Sequence, residues 1–443
     1  MTHKETMYDV AIIGAGITGT ALGHLLARYT NANKVLLIEK YGSVAQVSSK
    51  STNNSQTLHF GDIETNYALE KAKSVKLSAE MIVRYLERLD DTKGIYRILP
   101  KMVLAVGENE VDTLAKRYEE FKVLFPDIKL LDRAGIESVE PNVVAGRNNN
   151  IPISAIYTDK GYVMDFGKLA ESFVASTKKD NPNGFDLRFD LSLQSIKKVA
   201  IGYEITTRAE TFCAKTVVVA MGAHSLSVAH KMGYGCDLSI IPVAGNFYEA
   251  PNMLNGKVYT VQHKKLPFAA IHGDPEVNDH NRMRFGPIAK AVPILEPRKP
   301  KTFFDFMRVF PLEMDTLKSL ICINSDPVIL KFIAKSFFYD WPIIGKPLFL
   351  KEARKIIPTI SGKDISYARN FGGIRPQVVN IRKHAMQLGE AKIHGDGIVF
   401  NITPSPGASV CLKNAEEDME TIIAHLGSDY HIDHKAFAAD FTV

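Results

Sequence analysis

The sequence has few cysteines, a single tryptophan and no cluster of histidines. Its four cysteines, Cys213, Cys236, Cys322 and Cys411, are far apart and form no CxxC pair. Such spacing argues against a disulfide framework and against a zinc site, and it is typical of proteins in a reducing cytoplasm. We therefore expect a cytoplasmic protein that holds no metal ion.

Long apolar runs of the kind that cross membranes are also missing. The nearly uncharged stretch 10–27 is interrupted by four glycines, and Lys4, the only cation before it, is balanced by Glu5. We expect neither a transmembrane helix nor an export signal there. With 443 residues, 45% hydrophobic and 23% charged, the chain is long enough for two globular domains.

What the sequence does contain is a dinucleotide-binding pattern at its start. Residues 8–13 predict a short buried strand that runs directly into Gly14-Ala15-Gly16-Ile17-Thr18-Gly19. An amphipathic helix to about Arg28 and a second strand at 34–38 follow, and this strand ends at Glu39. A GxGxxG motif alone is weak, but strand, helix, strand and acid in this order indicate a Rossmann-like unit.

Each residue of the pattern has a physical task. Gly14 permits the tight turn after the strand, Gly16 lets a pyrophosphate approach the backbone, and Gly19 lets the helix pack closely on the sheet. The free N–H groups and the dipole at the helix N-terminus favour phosphate. Glu39, twenty residues after Gly19, is placed to accept hydrogen bonds from a ribose diol.

Three further features favour FAD over a nicotinamide cofactor. Gly23 extends the motif to GxGxxGxxxG, which predicts closer helix packing. The apolar strand predicted at 216–221 ends in Gly222-Ala223-His224 and brings a second turn to the cofactor. Residues 405–409 direct another helix N-terminus at the flavin edge that becomes negative on reduction. The alternative is an NAD-dependent dehydrogenase, which would be colourless.

The strand and helix patterns predict an α/β fold with two domains. A discontinuous, Rossmann-like FAD-binding domain is expected to comprise residues 1–95, 150–240 and 365–443. Residues 96–149 and 241–364 are expected to form a second, α+β substrate domain, because 240–285 has the alternation of an antiparallel sheet. This sheet would roof the cofactor, and we expect the ligand in the cleft between the domains.

Residues 298–356 combine positive charge with aromatic side chains. They contain eleven Lys/Arg, six Asp/Glu and ten aromatic residues, including Trp341. One interpretation is a membrane-facing segment whose rings enter the lipid interface while its lysines meet anionic headgroups. The other is a set of helices that pack on the flavin domain with a solvated basic face. A nucleic-acid-binding surface is a weaker interpretation, because no RNA-binding motif is present.

Ten short motifs spread along the chain resemble those of one enzyme family. They are Glu39-Lys40, Val44-Ala45-Gln46, Ser48-Ser49, Asn53-Asn54-Ser55-Gln56-Thr57-Leu58-His59, Glu64-Thr65-Asn66-Tyr67, Pro242-Val243-Ala244-Gly245, Ala269-Ala270-Ile271-His272-Gly273-Asp274, Phe285-Gly286-Pro287, Gly373-Ile374-Arg375-Pro376 and Ser405-Pro406-Gly407-Ala408-Ser409. With them the sequence resembles the malate:quinone oxidoreductases, FAD-dependent enzymes of the D-amino-acid-oxidase-like superfamily. It departs from that family at residues 56–59, where members have GTGH, and at Val47, where they have Glu.

The resemblance implies a function. It implies oxidation of (S)-malate to oxaloacetate by FAD and transfer of the electrons to a quinone. With a lipid-soluble acceptor, the basic aromatic segment 298–356 leads us to expect peripheral attachment to the inner face of the cytoplasmic membrane. Oxidases of L-2-hydroxyglutarate and of amino acids share several of the motifs, so an oxidase or dehydrogenase of L-2-hydroxyglutarate or another 2-hydroxy acid is the alternative. A flavoprotein that modifies or binds nucleic acid is an alternative of a different class, although the resemblance implies no nucleic-acid partner.

Oxidation of a 2-hydroxy acid needs a base for the hydroxyl proton and cations for the carboxylates, besides flavin N5 as hydride acceptor. His272 and His59 are the candidates for the base. The resemblance places His272 over the substrate and His59 beside the flavin. Arg375 is the best carboxylate ligand, because a guanidinium binds a carboxylate through two parallel hydrogen bonds. Malate has a second carboxylate, for which Arg284 and Lys264 are both candidates.

The predicted cofactor-binding residues come from the N-terminal fingerprint, from the loop after it and from two later turns. They are Gly14, Ala15, Gly16, Thr18, Gly19, Glu39, Lys40, Ser48, Asn54, Thr57, Gly222, Pro406, Gly407, Ala408 and Ser409.

Overall fold

The computed structural model contains two large sheets with helices packed around them. It describes residues 7–262, 270–310, 343–387, 391–402 and 406–441, together with Pro327, Phe338, Tyr339 and Trp341. The strands are β1 (Met7–Ile13), β2 (Val35–Ile38), β3 (Thr57–Leu58), β4 (Tyr96–Val106), β5 (Lys129–Leu131), β6 (Ile153–Met164), β7 (Phe185–Arg188), β8 (Leu193–Lys198), β9 (Tyr203–Thr207), β10 (Thr211–Val219), β11 (Leu238–Pro251), β12 (Lys257–Thr260), β13 (His272–Pro275), β14 (Arg282–Ala291), β15 (Ser366–Tyr367), β16 (Gly373–Asn380), β17 (Ala385–Gln387), β18 (Ala391–His394) and β19 (Ile398–Ile402). The helices are α1 (Ile17–Tyr29), α2 (Leu69–Glu87), α3 (Glu108–Phe121), α4 (Arg133–Val139), α5 (Pro141–Val144), α6 (Phe166–Asp180), α7 (Ser225–Lys231), α8 (Phe303–Val309), α9 (Gly345–Ile356), α10 (Cys411–Leu426) and α11 (His434–Phe441).

The first sheet has the N-terminal strand at its centre. Its order is β18-β19-β10-β1-β2-β7, and β9 and β8 extend it from β10. β1 runs parallel to both β2 and β10, and β10 runs parallel to β19. Along β1, Val10 and Ile12 pack with helices such as α1, whereas Ala11 and Ile13 enter a second core on the other face. A strand buried on both faces must be apolar throughout, which explains the continuous run that the sequence shows.

The second sheet is largely antiparallel, as the alternation in 240–285 predicts. Its order is β17-β16-β11-β14-β13-β12-β4-β6-β3, with β15 beside β11 and β5 beside β6. β12 and β4 form a parallel pair within it. The mixed α/β fold class is therefore confirmed.

Strand pairing does not follow the predicted domain segments. β3 and β6 hydrogen-bond within the second sheet, although they fall in segments 1–95 and 150–240 of the predicted FAD-binding domain. β16, in segment 365–443, pairs with β11 of the same sheet. The chain thus crosses between the sheets more often than the segments suggest, and the domain division stays a prediction.

Helix α2 begins later than the sequence pattern predicts. The apolar period from Ile63 predicts a helix there, but α2 begins at Leu69. The residues before it form a loop, because Asp62 accepts a hydrogen bond from Lys101 at 2.7 Å and Glu64 contacts His59 at 2.6 Å. These two buried carboxylates reach their partners because the backbone at residues 62–64 is not helical. Residues 406–410, by contrast, form turns that lead into α10 at Cys411, as the sequence predicts.

A helix that crosses a bilayer must be both long and apolar, and the helices in the described ranges differ in both properties. None of them combines the two to the degree that crossing a bilayer requires.

Candidate functional site

The turn between β1 and α1 has the geometry that its glycines predict. Gly14 has a φ of +109°, and a Cβ atom there would lie 2.5 Å from the carbonyl oxygen of Ala220. A Cβ atom at Gly19 would lie 2.0 Å from the carbonyl oxygen of Gly14. Any side chain at either position would clash with backbone, so both positions require glycine.

Gly23 does not have the role that the extended motif predicts. A Cβ atom there would lie 3.6 Å from the nearest atom, in the ring of Phe185, which is an ordinary van der Waals distance. An alanine would fit without a shift of the helix. The prediction that Gly23 allows closer helix packing is therefore wrong.

Glu39 lies where β2 meets the same turn. Its carboxylate accepts the backbone N–H of Ala15 at 2.8 Å and that of Tyr41 at 3.1 Å. Burial raises the pKa of Glu39, and these N–H groups counteract part of that effect. The loop that contains Ser48 covers the helix N-terminus, where Ile17 donates its N–H to Ser49 Oγ at 2.9 Å.

A cavity of about 870 Å³ runs along these loops and collects most of the predicted cofactor residues. The predicted residues that line it are Gly14, Gly16, Thr18, Glu39, Lys40, Ser48, Asn54, Thr57, Gly222, Pro406, Gly407, Ala408 and Ser409. Ala15 and Gly19 lie behind this lining. A Cβ atom at Gly16 would have only Ser49 Oγ, at 3.4 Å, near it, so a phosphate can approach this backbone. The cavity and its glycine wall fit a dinucleotide such as FAD.

His272 and Asp274 form a buried pair on β13. The two side chains share one face of the strand, and His272 Nδ1 lies 2.5 Å from Asp274 Oδ2, with angles outside those of a hydrogen bond. Burial lowers the pKa of His272, and Asp274 opposes part of that shift. The ring of Tyr259 lies against the imidazole, with the ring centroids 4.8 Å apart. Burial thus favours the neutral form of His272, and its Nδ1 lies beside a carboxylate oxygen.

Lys257 on β12 connects this pair to the cofactor loop. Its Nζ lies 3.3 Å from Asp274 Oδ1 and donates hydrogen bonds to Thr57 Oγ1 at 2.6 Å and to the Ser55 carbonyl at 2.8 Å. Burial lowers the pKa of Lys257 to about 8. Burial alone would raise the pKa of Asp274, but His272 and Lys257 outweigh it and hold that pKa well below its usual range.

Arg284 lies beside Asp274 in the sheet and is almost completely buried. Its Nε is 2.8 Å from Glu276 Oε1, and its guanidinium lies over the rings of Phe247 and Phe371 at 5.0 and 5.1 Å. Its buried Nη2 has no hydrogen-bond partner within the described ranges. One end of this guanidinium thus faces Glu276, and the other end is buried without a hydrogen-bond partner among the described residues.

His59 borders the cavity and forms a second histidine–carboxylate pair. Its Nδ1 lies 2.6 Å from Glu64 Oε1, and its backbone N–H donates to Ser409 Oγ at 2.9 Å. Burial alone would raise the pKa of Glu64, but His59 and Lys101 lower it to about 2. The hydrogen bond to Ser409 joins the loop after β3 to the turn before α10.

Arg375, on β16, also lines the cavity. Burial lowers its pKa, while Tyr259 and Asp274 favour its charged form. No described residue forms a hydrogen bond or a salt bridge with its side chain. Lys264, the other candidate for the second carboxylate, lies outside the described residues, as does Ser405.

Several residues that build this site were not predicted as site residues. Asp274 and Glu64 fall inside the motifs that carried the family resemblance, so their motifs could have identified them. Lys257 and Tyr259 carry no such signal, because they reach the site through pairing of β12 with β13. Register places Tyr259 directly opposite His272.

Solved structures that share this fold include two oxidases. The chain matches L-α-glycerophosphate oxidase from Mycoplasma pneumoniae, solved with FAD bound, with a TM-score of 0.66 and 16% identity over 94% of this chain and 95% of that one. It matches glycine oxidase from Geobacillus kaustophilus with a TM-score of 0.66 and 18% identity over 94% of both. These likenesses, both below 25% identity, show that the fold is shared, and the glycine-lined cleft suits a dinucleotide.

The sequence comparisons specify the family. The family model described as malate:quinone oxidoreductase matches residues 6–425, and the chain belongs to this family. It is 45% identical over 444 residues to a probable malate:quinone oxidoreductase of Campylobacter jejuni, covering 98% of both chains. It is 41% identical over 435 residues to malate:quinone oxidoreductase of Helicobacter pylori, covering 96% of both chains.

Proposed function

We propose that this chain binds FAD in the glycine-lined cavity, oxidises (S)-malate to oxaloacetate and passes the electrons to a membrane quinone. Membership of the malate:quinone oxidoreductase family is the observation that carries the proposal. FAD, when bound, supplies the acceptor for the hydride that leaves C2 of the substrate. The protein's own residues bind the acid, orient it and remove the hydroxyl proton.

His272 is the proposed base. Because Nδ1 lies 2.5 Å from Asp274 Oδ2, we place its proton on Nδ1, which leaves the lone pair of Nε2 for the substrate hydroxyl. Asp274 then stabilises the imidazolium that forms. His59 is the other candidate, but its Nδ1 contacts Glu64 and its backbone is bonded to Ser409, so we assign it to shaping the cofactor loop.

Arg375 is the proposed ligand of the substrate carboxylate next to the hydroxyl. It is a guanidinium at the cavity wall without an ion-pair partner among the described residues, and a bidentate carboxylate would satisfy it. For the second carboxylate we propose Arg284, because its Nη2 is buried and unpaired within those same ranges.

The proposal is tested by adding acids to the purified, flavin-loaded chain without oxygen and following the flavin absorbance. Millimolar (S)-malate should bleach the spectrum, and a quinone should restore it faster than oxygen does. An Arg375→Met variant should bleach with dithionite but require about a hundredfold more malate, since a buried charge contact is lost. An oxidised spectrum that malate leaves unchanged would refute the substrate, and bleaching by L-2-hydroxyglutarate instead would establish the alternative.

We also propose that part of segment 298–356 contacts the membrane. Phe304 on α8 is 68% exposed, and Ile343, just before α9, is 87% exposed. The same helix buries Val309 in the core, so one side of α8 packs on the protein while the other presents apolar side chains. The segment would thus both pack on the protein and face the membrane, which combines the two interpretations of the sequence. Such an arrangement suits an enzyme whose electron acceptor is dissolved in lipid.

Co-sedimentation with anionic vesicles tests this contact. Changing Phe304 and Ile343 together to serine should weaken vesicle binding about tenfold or more, because two apolar side chains lose their burial in lipid. A matched double variant at Val123 and Ile201, exposed by 85% and 68% elsewhere, should bind as the wild type does. Equal binding by both double variants would contradict the proposal.

A further inference from the structure

Glu296 is a buried carboxylate that bridges two loops of the cofactor cavity. It lies between β14 and α8 and is 2% exposed. Lys40 Nζ and Tyr41 Oη both donate hydrogen bonds to it, and His224 Nε2 lies 2.9 Å from its Oε1. Lys299 Nζ approaches it to 3.8 Å. Four groups from three parts of the chain thus converge on one side chain.

The position of these partners is what links Glu296 to the cofactor. Lys40 and Tyr41 directly follow Glu39 at the end of β2, and His224 follows Gly222 after β10. The ends of these two parallel strands flank β1, where a dinucleotide crosses the sheet. Lys40, His224 and Glu296 all line the cavity. Glu296 therefore spans the cleft at its ribose end.

The backbone around Glu296 is held in place on both sides. Thr302 Oγ1 accepts the N–H groups of Leu295 and Glu296 at 3.1 and 3.3 Å. Arg298 donates to Asn53 Oδ1 at 3.2 Å, and Asn53 also lines the cavity. We call residues 295–302 the strap, because they connect the β2 loop, the β10 loop and the Asn53 loop.

Electrostatics show that the bridge is an ionic one. Burial alone would raise the pKa of Glu296, but hydrogen bonds from His224, Lys40 and Tyr41 outweigh it and hold that pKa well below its usual range. A buried carboxylate is stable only while its donors remain in place. Opening the strap would expose the carboxylate and separate it from Lys40 and His224 together, so the contacts oppose opening cooperatively.

We propose that Glu296 is a positioning residue that holds the strap closed over the ribose end of the FAD cleft and slows release of the cofactor. The inference rests on the proposed binding of FAD in this cavity. It adds a function for the segment between β14 and α8, which the chemistry at His272 does not use. Because α8 follows the strap directly, the same contacts join the proposed membrane-facing segment to the cofactor site.

The test measures FAD release from the loaded, full-length chain, by the rise of flavin fluorescence after dilution. Glu296→Ala should release FAD about tenfold faster or more, because a charge-assisted hydrogen-bond network is lost. Tyr41→Phe removes one donor only and should lie between that variant and the wild type. Glu140→Gln is the matched control, because Glu140 is also 2% exposed and accepts the backbone N–H groups of Asn255 and Gly256 away from the cavity.

A second measurement, the increase in Tm on adding FAD, distinguishes a strap that holds FAD from a loop contact that only stabilises the fold. If Glu296 holds the strap over FAD, the increase in Tm that added FAD produces should be smaller in Glu296→Ala than in Glu140→Gln. A purely structural role would lower the Tm with and without FAD by the same amount. Release from Glu296→Ala and Tyr41→Phe within twofold of the wild type would overturn the strap alone. A wild-type chain that takes up no FAD would overturn the proposed function and the strap with it.

Discussion

His272→Asn should lower kcat for malate oxidation by about 10² to 10⁴-fold, the usual contribution of a positioned general base. Asparagine can retain a contact with Asp274 through its amide, but it cannot accept the proton of the substrate hydroxyl. The flavin should stay bound, because this change leaves the glycine turns and loops that line the cofactor cavity intact. Rapid-mixing absorbance at saturating malate measures the rate of flavin reduction directly.

His59→Asn is the matched variant that decides between the two candidate bases. If His272 is the base, this change should affect FAD retention more than the rate of reduction, since His59 is bonded to Ser409 beside the cavity. The pH profile adds a second criterion. Burial places the pKa of His272 below its ordinary value, so the acid limb of kcat/KM should lie below about pH 6.5 in the wild type. A His272→Asn variant that keeps both the rate and this limb would exclude His272 as the base.

His24→Phe should make the protein markedly more resistant to acid. His24 lies on α1, and its ring stacks on Phe173 with the centroids 5.7 Å apart. Neither ring nitrogen has a hydrogen-bond partner among the residues that the structure describes. Burial, assisted by the charges of Arg28 and Arg88, lowers the pKa of His24 to about 3. The folded protein therefore holds this imidazole neutral in an aromatic environment.

The direction of the pH effect follows from the two pKa values. The unfolded chain binds a proton at His24 below about pH 6.5, whereas the folded chain resists it down to about pH 3. Above about pH 6.5, protonation of His24 therefore costs the folded state no free energy of unfolding. Below it, the free energy of unfolding falls by about 1.4 kcal/mol per pH unit, which amounts to about 5 kcal/mol near pH 3. Phenylalanine cannot be protonated and suits the ring cluster, so the variant escapes this loss.

Thermal unfolding between pH 7 and pH 4 measures the effect. The Tm of wild type and variant should differ least at pH 7 and should diverge steadily as the pH falls. His280→Asn, a change of an exposed histidine in the β13–β14 turn, should follow the wild type throughout. Parallel Tm curves for wild type and His24→Phe would show that protonation of His24 does not limit acid stability.

The local parts of the fold could be predicted from the sequence because their causes are local. The apolar strand, the glycines at 14 and 19 and the acid at 39 lie within one βαβ unit, where each residue type answers a constraint of its own turn. Asp165 likewise caps α6 through hydrogen bonds to the N–H groups of Gly167 and Lys168. Where a predicted start was wrong, as at α2, the buried carboxylates Asp62 and Glu64 pair with Lys101, 39 residues away, and with His59 in the preceding loop, which competes with the helix.

By itself, the sequence determined a flavin-type dinucleotide unit, an antiparallel second sheet and the histidines and arginines at which the chemistry is proposed. Only the tertiary structure decided which of them are committed to other contacts: Arg284 to Glu276, Lys40 to Glu296, and Arg375 to no described side chain. The reason is that these pairings depend on sheet register and on loops separated by up to about two hundred and fifty residues. The charge of a side chain can be read from its residue type, but its availability to a substrate depends on what the folded chain places beside it.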